Sequence, residues 1–345
     1  MSVALACPDK FRGTLTASEA ADRIAAGLRT AGFDEVRALP LADGGEGTLD
    51  TLLAARGGSR RPARVTGPLG EPVDAEWGLL PDGTAVVEMA NASGLARVDG
   101  RNDPLRATTR GTGELVAAAA RAGARRIIVG VGGSATTDGG LGAVDALGWS
   151  LAGLDVVVAC DVHTRFVDAA RVFGPQKGAT DAQVALLTRR LQSVAQQYLD
   201  RTAFDVHGVE GGGAAGGLAG GLAAIGARLE PGFDVVARVA GFEDAVADAD
   251  AVVTGEGKLD PTSFDGKVVG GVLEWAGELG VEHRAVIAGQ VTPEARDEAS
   301  VLGDVQVLAL TDRVWQAGEA FQRAGTLVEE AAIEAGKDAL AKMRH

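Results

Sequence analysis

The sequence predicts an α/β protein of two domains. Short apolar, β-branched runs alternate with amphipathic helical patterns, the rhythm that yields parallel strands joined by crossover helices. The chain's 345 residues exceed what one hydrophobic core comfortably organises. Between residues 64 and 89 the texture changes to two alternating stretches around a Pro81-Asp-Gly83 turn, which reads as a hairpin and hence as antiparallel structure.

Taken in order, residues 3–7 read as a strand, and 18–30 as an amphipathic helix with Ser18 as N-cap and Glu19 in its first turn. A strand at 35–41 runs into the loop 42–48 and a helix that ends near 55. A turn cluster at 66–72 precedes hairpin strands at 73–80 and 84–89, so a domain boundary falls near residue 65. The α/β rhythm then resumes with a helix at 113–122, a strand at 126–130, a glycine-rich loop, and a strand at 155–160. A strong amphipathic helix covers 181–199. The glycine-dense stretch 208–226 reads as a closely packed helix or as a ligand cover. Strands at 250–254, 284–288 and 305–310 and a helix at 319–343 complete the chain.

Composition narrows the function. With 46% hydrophobic and 23% charged residues the chain reads as a soluble globular protein, and no apolar run approaches the roughly 20 residues a membrane helix needs. The N-terminus has no basic region before its short apolar stretch, so a cytoplasmic location is expected. Cys7 and Cys160 each end an apolar run, which suits reduced, buried thiols. A formal charge of −14 repels nucleic acid and acidic membranes. A small anionic substrate must therefore be held by a few placed cations and amides.

The most informative segment is 127–140, IIVGVGGSATTDGG, where an apolar run feeds a loop rich in glycine and hydroxyls. Its amides can approach an anion closely, with Ser134, Thr136, Thr137 and Asp138 adding polar contacts. Acidic and cationic residues recur just after strands: Asp9 and Lys10, Asp43, Asp138, Asp161, Glu256 and Lys258. Ligands bind at the carboxyl ends of parallel strands. Loop carboxylates beside glycine-rich cradles are what phosphoryl transfer requires, since Mg²⁺ bridges phosphate oxygens while a carboxylate orients the attacking hydroxyl. The Walker pattern is absent. Residues 130–135 match the dinucleotide fingerprint GxGxxG/A, which keeps a nicotinamide dehydrogenase of a small hydroxy acid as an alternative. His163, His207, His283 and His345 are scattered, and no GxSxG or CxxC motif occurs.

Six motifs occur in order: PDKFRGT at 8–14, LADGGEGT at 41–48, GTGE at 111–114, GGSATTDGG at 132–140, FGPQKGA at 173–179 and TGEGKLD at 254–260. Together they resemble the glycerate kinase family of the bacterial glycerate 2-kinase type. The resemblance implies phosphorylation of D-glycerate by ATP, with Mg²⁺, to 2-phosphoglycerate, with 3-phosphoglycerate as the other outcome. It also implies a Rossmann-like parallel-sheet domain (1–64 and 246–345) into which a second, mixed α/β domain (65–245) is inserted, the site lying in the cleft between them. Oligomeric state stays open, a homodimer being one option. The chain departs from the family between Trp149 and Val156, where members carry a longer segment, and at 163–166, where HTRF replaces asparagine-proline-leucine-glycine. A relative that has lost catalysis and only binds ligand is a third reading.

Under the family reading, Lys10 and Arg12 hold the glycerate carboxylate, with Asp9, Asp43 and Glu46 also on the substrate. Gly132, Gly133, Ser134, Thr136 and Asp138 bind the nucleotide phosphates, and Lys177 and Lys267 place charge on them. Asp161 orients or deprotonates the glycerate hydroxyl. Glu256 and Asp260 are the Mg²⁺ partners, because hard oxygen ligands suit that ion.

Overall fold

The computed structural model describes residues 1–344, with nothing of the side chain at Ala317; His345 lies outside the described residues. The fold is α/β in two compact units. The first comprises residues 1–43, 50–55 and 233 onward, and the second residues 44–49 and 56–232. Eleven strands occur among the described residues: β1 (Val3–Ala6), β2 (Glu35–Ala38), β3 (Ser59–Thr66), β4 (Pro72–Leu79), β5 (Ala85–Glu88), β6 (Arg126–Gly130), β7 (Asp155–Ala159), β8 (Arg228–Glu230), β9 (Ala251–Leu259), β10 (His283–Val291) and β11 (Val305–Ala309).

The units change near residues 56 and 233, rather than near 65 and 246. β3, which the sequence pattern does not announce, pairs along its whole length with β4 and so belongs to the second unit. At the other crossing, Phe233 and Phe242 pack on Trp275 of the first unit, ring centroids 5.7 and 5.9 Å away.

In the first unit all five strands are parallel, in the order β2-β1-β9-β10-β11. β1 is an interior strand, flanked by β2 and β9, and fully buried, which is why it reads as a continuous apolar run rather than as an alternation. The helix after it, Ala17–Ala31, is capped by Thr16 and not by Ser18: the Thr16 hydroxyl accepts from the Glu19 amide at 3.1 Å while the Glu19 carboxylate accepts from the Thr16 amide at 2.8 Å. The C-terminal helical pattern divides into Ala317–Gln322 and Ala324–Lys342.

In the second unit the strands lie in sequence order β3 to β8, antiparallel through β5 and parallel from β5 to β8. The hairpin of β4 and β5 thus starts a mixed sheet. The glycine-dense stretch forms the helix Ala214–Ala224, every residue of it buried. Its first turn holds Ala215, Gly216 and Gly217 in left-handed backbone, and a Cβ on Gly216 would collide with the Thr136 carbonyl oxygen. Gly216→Ala is therefore expected to lower the unfolding free energy by at least ~2 kcal/mol, read as a reduced denaturant midpoint. An unchanged midpoint would show that the helix does not press on the 132–140 loop.

Candidate active site

In the first unit, the strand order reverses direction between β1 and β9. A parallel sheet of this order opens its ligand crevice at that switch, beyond the carboxyl ends of the strands. The chain leaving β1 stays beside β9: the Cys7 amide donates to the Val253 carbonyl and the Asp9 amide to the Gly255 carbonyl, both at 2.9 Å. It then turns tightly between Phe11 and Leu15. β9 and β10 continue pairing as far as Leu259 and Val291. Along this extension Glu256, Lys258 and Asp260 recur every second residue and so share one face.

These segments enclose a cavity of about 370 Å³ whose walls include Asp9, Lys10, Arg12, Glu256, Lys258, Asp260 and Lys267. Four cations face three carboxylates there, in a chain of net charge −14. Lys10 lies 3.6 Å from Asp9, whereas Arg12, exposed, has no carboxylate partner among the described residues. Burial pushes the Asp9 carboxyl up to about 6, with Lys10 opposing and Asp43 adding repulsion. Burial likewise pushes Glu256 up to about 7, aided by repulsion from Asp9 and Asp260, against a hydrogen bond from Ser263 and the charge of Lys267. The Glu256 Oε1 is buried and unpartnered.

Asp260 is otherwise engaged. Its Oδ1 accepts from the Thr262 amide at 3.1 Å and hydroxyl at 2.7 Å, capping the turn Pro261–Phe264, and its Oδ2 accepts from Lys258 at 3.2 Å. Lys267 follows that turn, at the N-cap of helix Val268–Glu278, and donates to the Thr262 hydroxyl at 3.0 Å. No cluster of three or more His, Cys, Asp or Glu forms a ready metal cage among the described residues. A Mg²⁺ that takes one protein carboxylate and completes its shell with water and phosphate fits Glu256, and Asp260 fits it less well.

In the second unit the carboxyl ends of β5, β6 and β7 carry Glu88, the glycine-rich loop, and Asp161. Glu88, which sequence reasoning missed, accepts from the Gly47 and Leu49 amides at 2.9 and 2.8 Å and so anchors the loop bearing the exposed Glu46. That loop packs tightly on the next: a Cβ on Gly130 would lie 2.6 Å from the Gly44 carbonyl oxygen, and one on Gly132 2.7 Å from the Gly45 Cα. Several glycines of the 130–140 loop thus serve close backbone packing as well as any approach to an anion. Asp161 accepts the Gly232 amide at 2.7 Å.

Three residues assigned to phosphate make hydrogen bonds within the protein. Asp138 accepts from the Thr109 amide at 2.8 Å, the Thr109 hydroxyl at 2.9 Å and the Gly140 amide at 3.1 Å. These bonds fold the loop around it. Lys177 is 3% exposed, and its Nζ donates to the Thr136 carbonyl at 2.6 Å; burial pushes its ammonium down to about 7, with Asp138 opposing. Asn102, another residue missed, donates to the Ala135 and Lys177 carbonyls at 3.0 and 2.9 Å, tying the same two segments together. Thr136 is fully buried and donates to the Ala215 carbonyl at 3.3 Å. What the loop leaves for an anion is backbone: the amides of Gly132, Gly133 and Ser134 have no hydrogen-bond partner among the described residues.

The dinucleotide fingerprint lacks its structural context. No helix opens within residues 130–135; the next, Leu141–Ala146, begins after Gly140 and is six residues long. Pyrophosphate therefore has no helix N-terminus at the place the fingerprint requires.

Comparison with known proteins supplies the affiliation. The profile of the Glycerate kinase family matches residues 4–153 and 149–339, its break coinciding with the shortened segment after Trp149. The chain is 41% identical over 326 residues to the glycerate 2-kinase of Escherichia coli, covering 83% of this chain and 85% of that one. It is 42% identical over 310 residues to the glycerate kinase of Bacillus subtilis, covering 78% and 80%. A crystal structure of a candidate glycerate kinase 2 from Salmonella typhimurium superposes with a TM-score of 0.82 at 33% identity, covering 100% of both chains. The chain belongs to the glycerate kinase family, and with that membership it is a kinase.

Proposed function

We propose that this kinase transfers the γ-phosphoryl group of ATP to the C2 hydroxyl of D-glycerate, giving 2-phosphoglycerate and ADP. The observation that carries the reading is the cavity at the β1/β9 switch, where Lys10, Arg12, Lys258 and Lys267 gather in an otherwise acidic protein. Lys10 and Arg12 hold the substrate carboxylate, with Asp9 setting the orientation of Lys10 and Asp43 also on the substrate. Arg12 has its full guanidinium fork to offer, which suits a planar carboxylate. Lys267 places charge on the transferred phosphoryl group, and Glu256 receives Mg²⁺, which when bound screens the phosphate oxygens.

In the second unit, the free amides of Gly132, Gly133 and Ser134 bind phosphate, with Glu46 beside them. Thr136, Asp138 and Lys177 hold that loop in shape. Asp161 accepts the proton of the attacking hydroxyl as the oxygen–phosphorus bond forms and the bond to the β,γ-bridging oxygen breaks; the electron pair leaves with ADP. The two free thiols suit a reducing compartment, so we place the enzyme in the cytoplasm.

A coupled assay for ADP with D-glycerate tests the reading, and phosphorus NMR of the product distinguishes the 2- from the 3-phosphate. Glycerate-dependent ADP release with a 2-phosphate signal is expected. Release of ADP at the same rate without glycerate would overturn it.

A further inference from the structure

The cavity of the first unit is larger and less polar than a three-carbon acid needs. At about 370 Å³ it falls within the roughly 300–1,000 Å³ of sites that enclose drug-sized ligands. Its lining combines charged and apolar groups, the latter including Phe11 of the β1 loop. The tips of β1 and β9 supply the charged groups, β10 supplies Gln290, and the chain beyond β11 supplies Leu310, Ala320, Phe321 and Ala324.

The apolar end has features that glycerate and a metal ion leave unused. Phe321 is 59% exposed although it borders a cavity, and its ring edge lies 3.6 Å from where a Cβ on Gly13 would stand. Gly13 has a φ of 81°, so the β1 loop passes the ring without a side chain of its own. Gln290, in register with Lys258 on the neighbouring strand, also lines the cavity; it is exposed and makes no side-chain hydrogen bond among the described residues. A flat aromatic face beside an uncommitted amide is the pairing that recognises a nucleobase: the ring stacks, and the amide donates and accepts along the base's polar edge.

We infer that the apolar end of this cavity is the base subsite for a purine nucleotide, with Phe321 and Leu310 covering the ring and Gln290 reading its edge. The nucleotide's phosphates then meet Lys258 and Lys267, and Lys10 and Arg12 are left to the carboxylate. This rests on the reading that the enzyme uses a nucleoside triphosphate.

Calorimetric titration of the full chain with ADP, and separately with inorganic pyrophosphate, tests it alongside the steady-state KM values for ATP and glycerate. Phe321→Ala should weaken ADP binding roughly tenfold and raise the KM for ATP to match, while pyrophosphate affinity and the KM for glycerate stay unchanged; Phe321→Trp should restore ADP binding. Gln290→Ala should lower the preference for ADP over GDP. Should Phe321→Ala prove unstable, the Gln290→Ala result decides by itself, since Gln290 is exposed and makes no side-chain hydrogen bond among the described residues. Unchanged ADP affinity in folded Phe321→Ala, equal loss for ADP and pyrophosphate, or no ADP binding by the unaltered chain would each overturn the assignment. If ADP binding falls as expected but glycerate elicits no turnover, the base subsite stands and the proposed substrate falls. If turnover is normal and both variants bind ADP normally, the substrate stands and the subsite falls.

Discussion

Asp161→Asn is expected to cut turnover by roughly 10²–10⁴-fold, the range over which a positioned proton acceptor contributes to catalysis. The substitution is chosen for what it keeps. Asp161 Oδ1 accepts the Gly232 amide at 2.7 Å, and an asparagine side-chain oxygen can accept the same bond, so the segment after β7 holds its course. What asparagine cannot do is take a proton from an alcohol. The loss should therefore appear in kcat, with the KM values for glycerate and ATP changed little and the unfolding midpoint within experimental error of the parent. Turnover within about threefold of normal would remove Asp161 from the mechanism; this bound sits far below the smallest effect expected of a proton acceptor.

Glu256→Gln is expected to move activity and stability in opposite directions. Burial raises this carboxyl from its ordinary 4.5 to about 7, so the folded chain binds the proton more tightly than the unfolded chain does. The stability it contributes is fully present below the ordinary value and is lost as pH rises through about 7. Glutamine resembles the neutral acid and has no charge to bury. Parent and variant should therefore have similar urea midpoints near pH 4, and by pH 8 the variant should be the more stable by up to ~3 kcal/mol. Turnover should meanwhile fall about 100-fold or more, because the unpartnered oxygen that would meet Mg²⁺ is then a neutral amide oxygen. A residue that stabilises its protein less than its isostere does, yet is needed for rate, belongs to a functional site. A variant destabilised at pH 8, or fully active, would contradict that role for Glu256.

Much of the architecture was legible because it depends on local periodicity. The buried runs of β1, β6 and β7, the hairpin of β4 and β5 and the long helix Asp181–Thr202 each carry a pattern that one segment suffices to reveal. β3 was not legible. Its sequence, SRRPARVT, is polar on both faces and contains a proline, and it forms a strand because it lies at a sheet edge against β4. The same division applies to the site. Lys10, Arg12, Glu256 and Lys258 follow closely on the apolar runs of β1 and β9, so sequence order alone brings them near one crevice. Lys177 and Asp138 also looked like ligand groups, since a lysine and an aspartate among glycines read alike whether they meet a phosphate or a carbonyl. Only the fold shows that Lys177 points at Thr136 and that Asp138 gathers the amides around it. Asn102 and Phe321 were missed for a related reason: an isolated asparagine or phenylalanine carries no spacing signal, and each acquires its role from a partner far away in the chain.

The interrupted course of the first unit has a consequence for how the protein is made. β1 pairs with β2 on one side and with β9 on the other, so its second edge stays open until Ala251 leaves the ribosome, roughly 200 residues after Ala38. At ordinary synthesis rates that wait is on the order of 10–40 s. The second unit, contiguous from Arg56 to Gly232 apart from the 44–49 loop, is complete before its host. A nascent chain stalled before β9 therefore presents an apolar strand with one edge unpaired, the condition under which chaperones are recruited and aggregates begin.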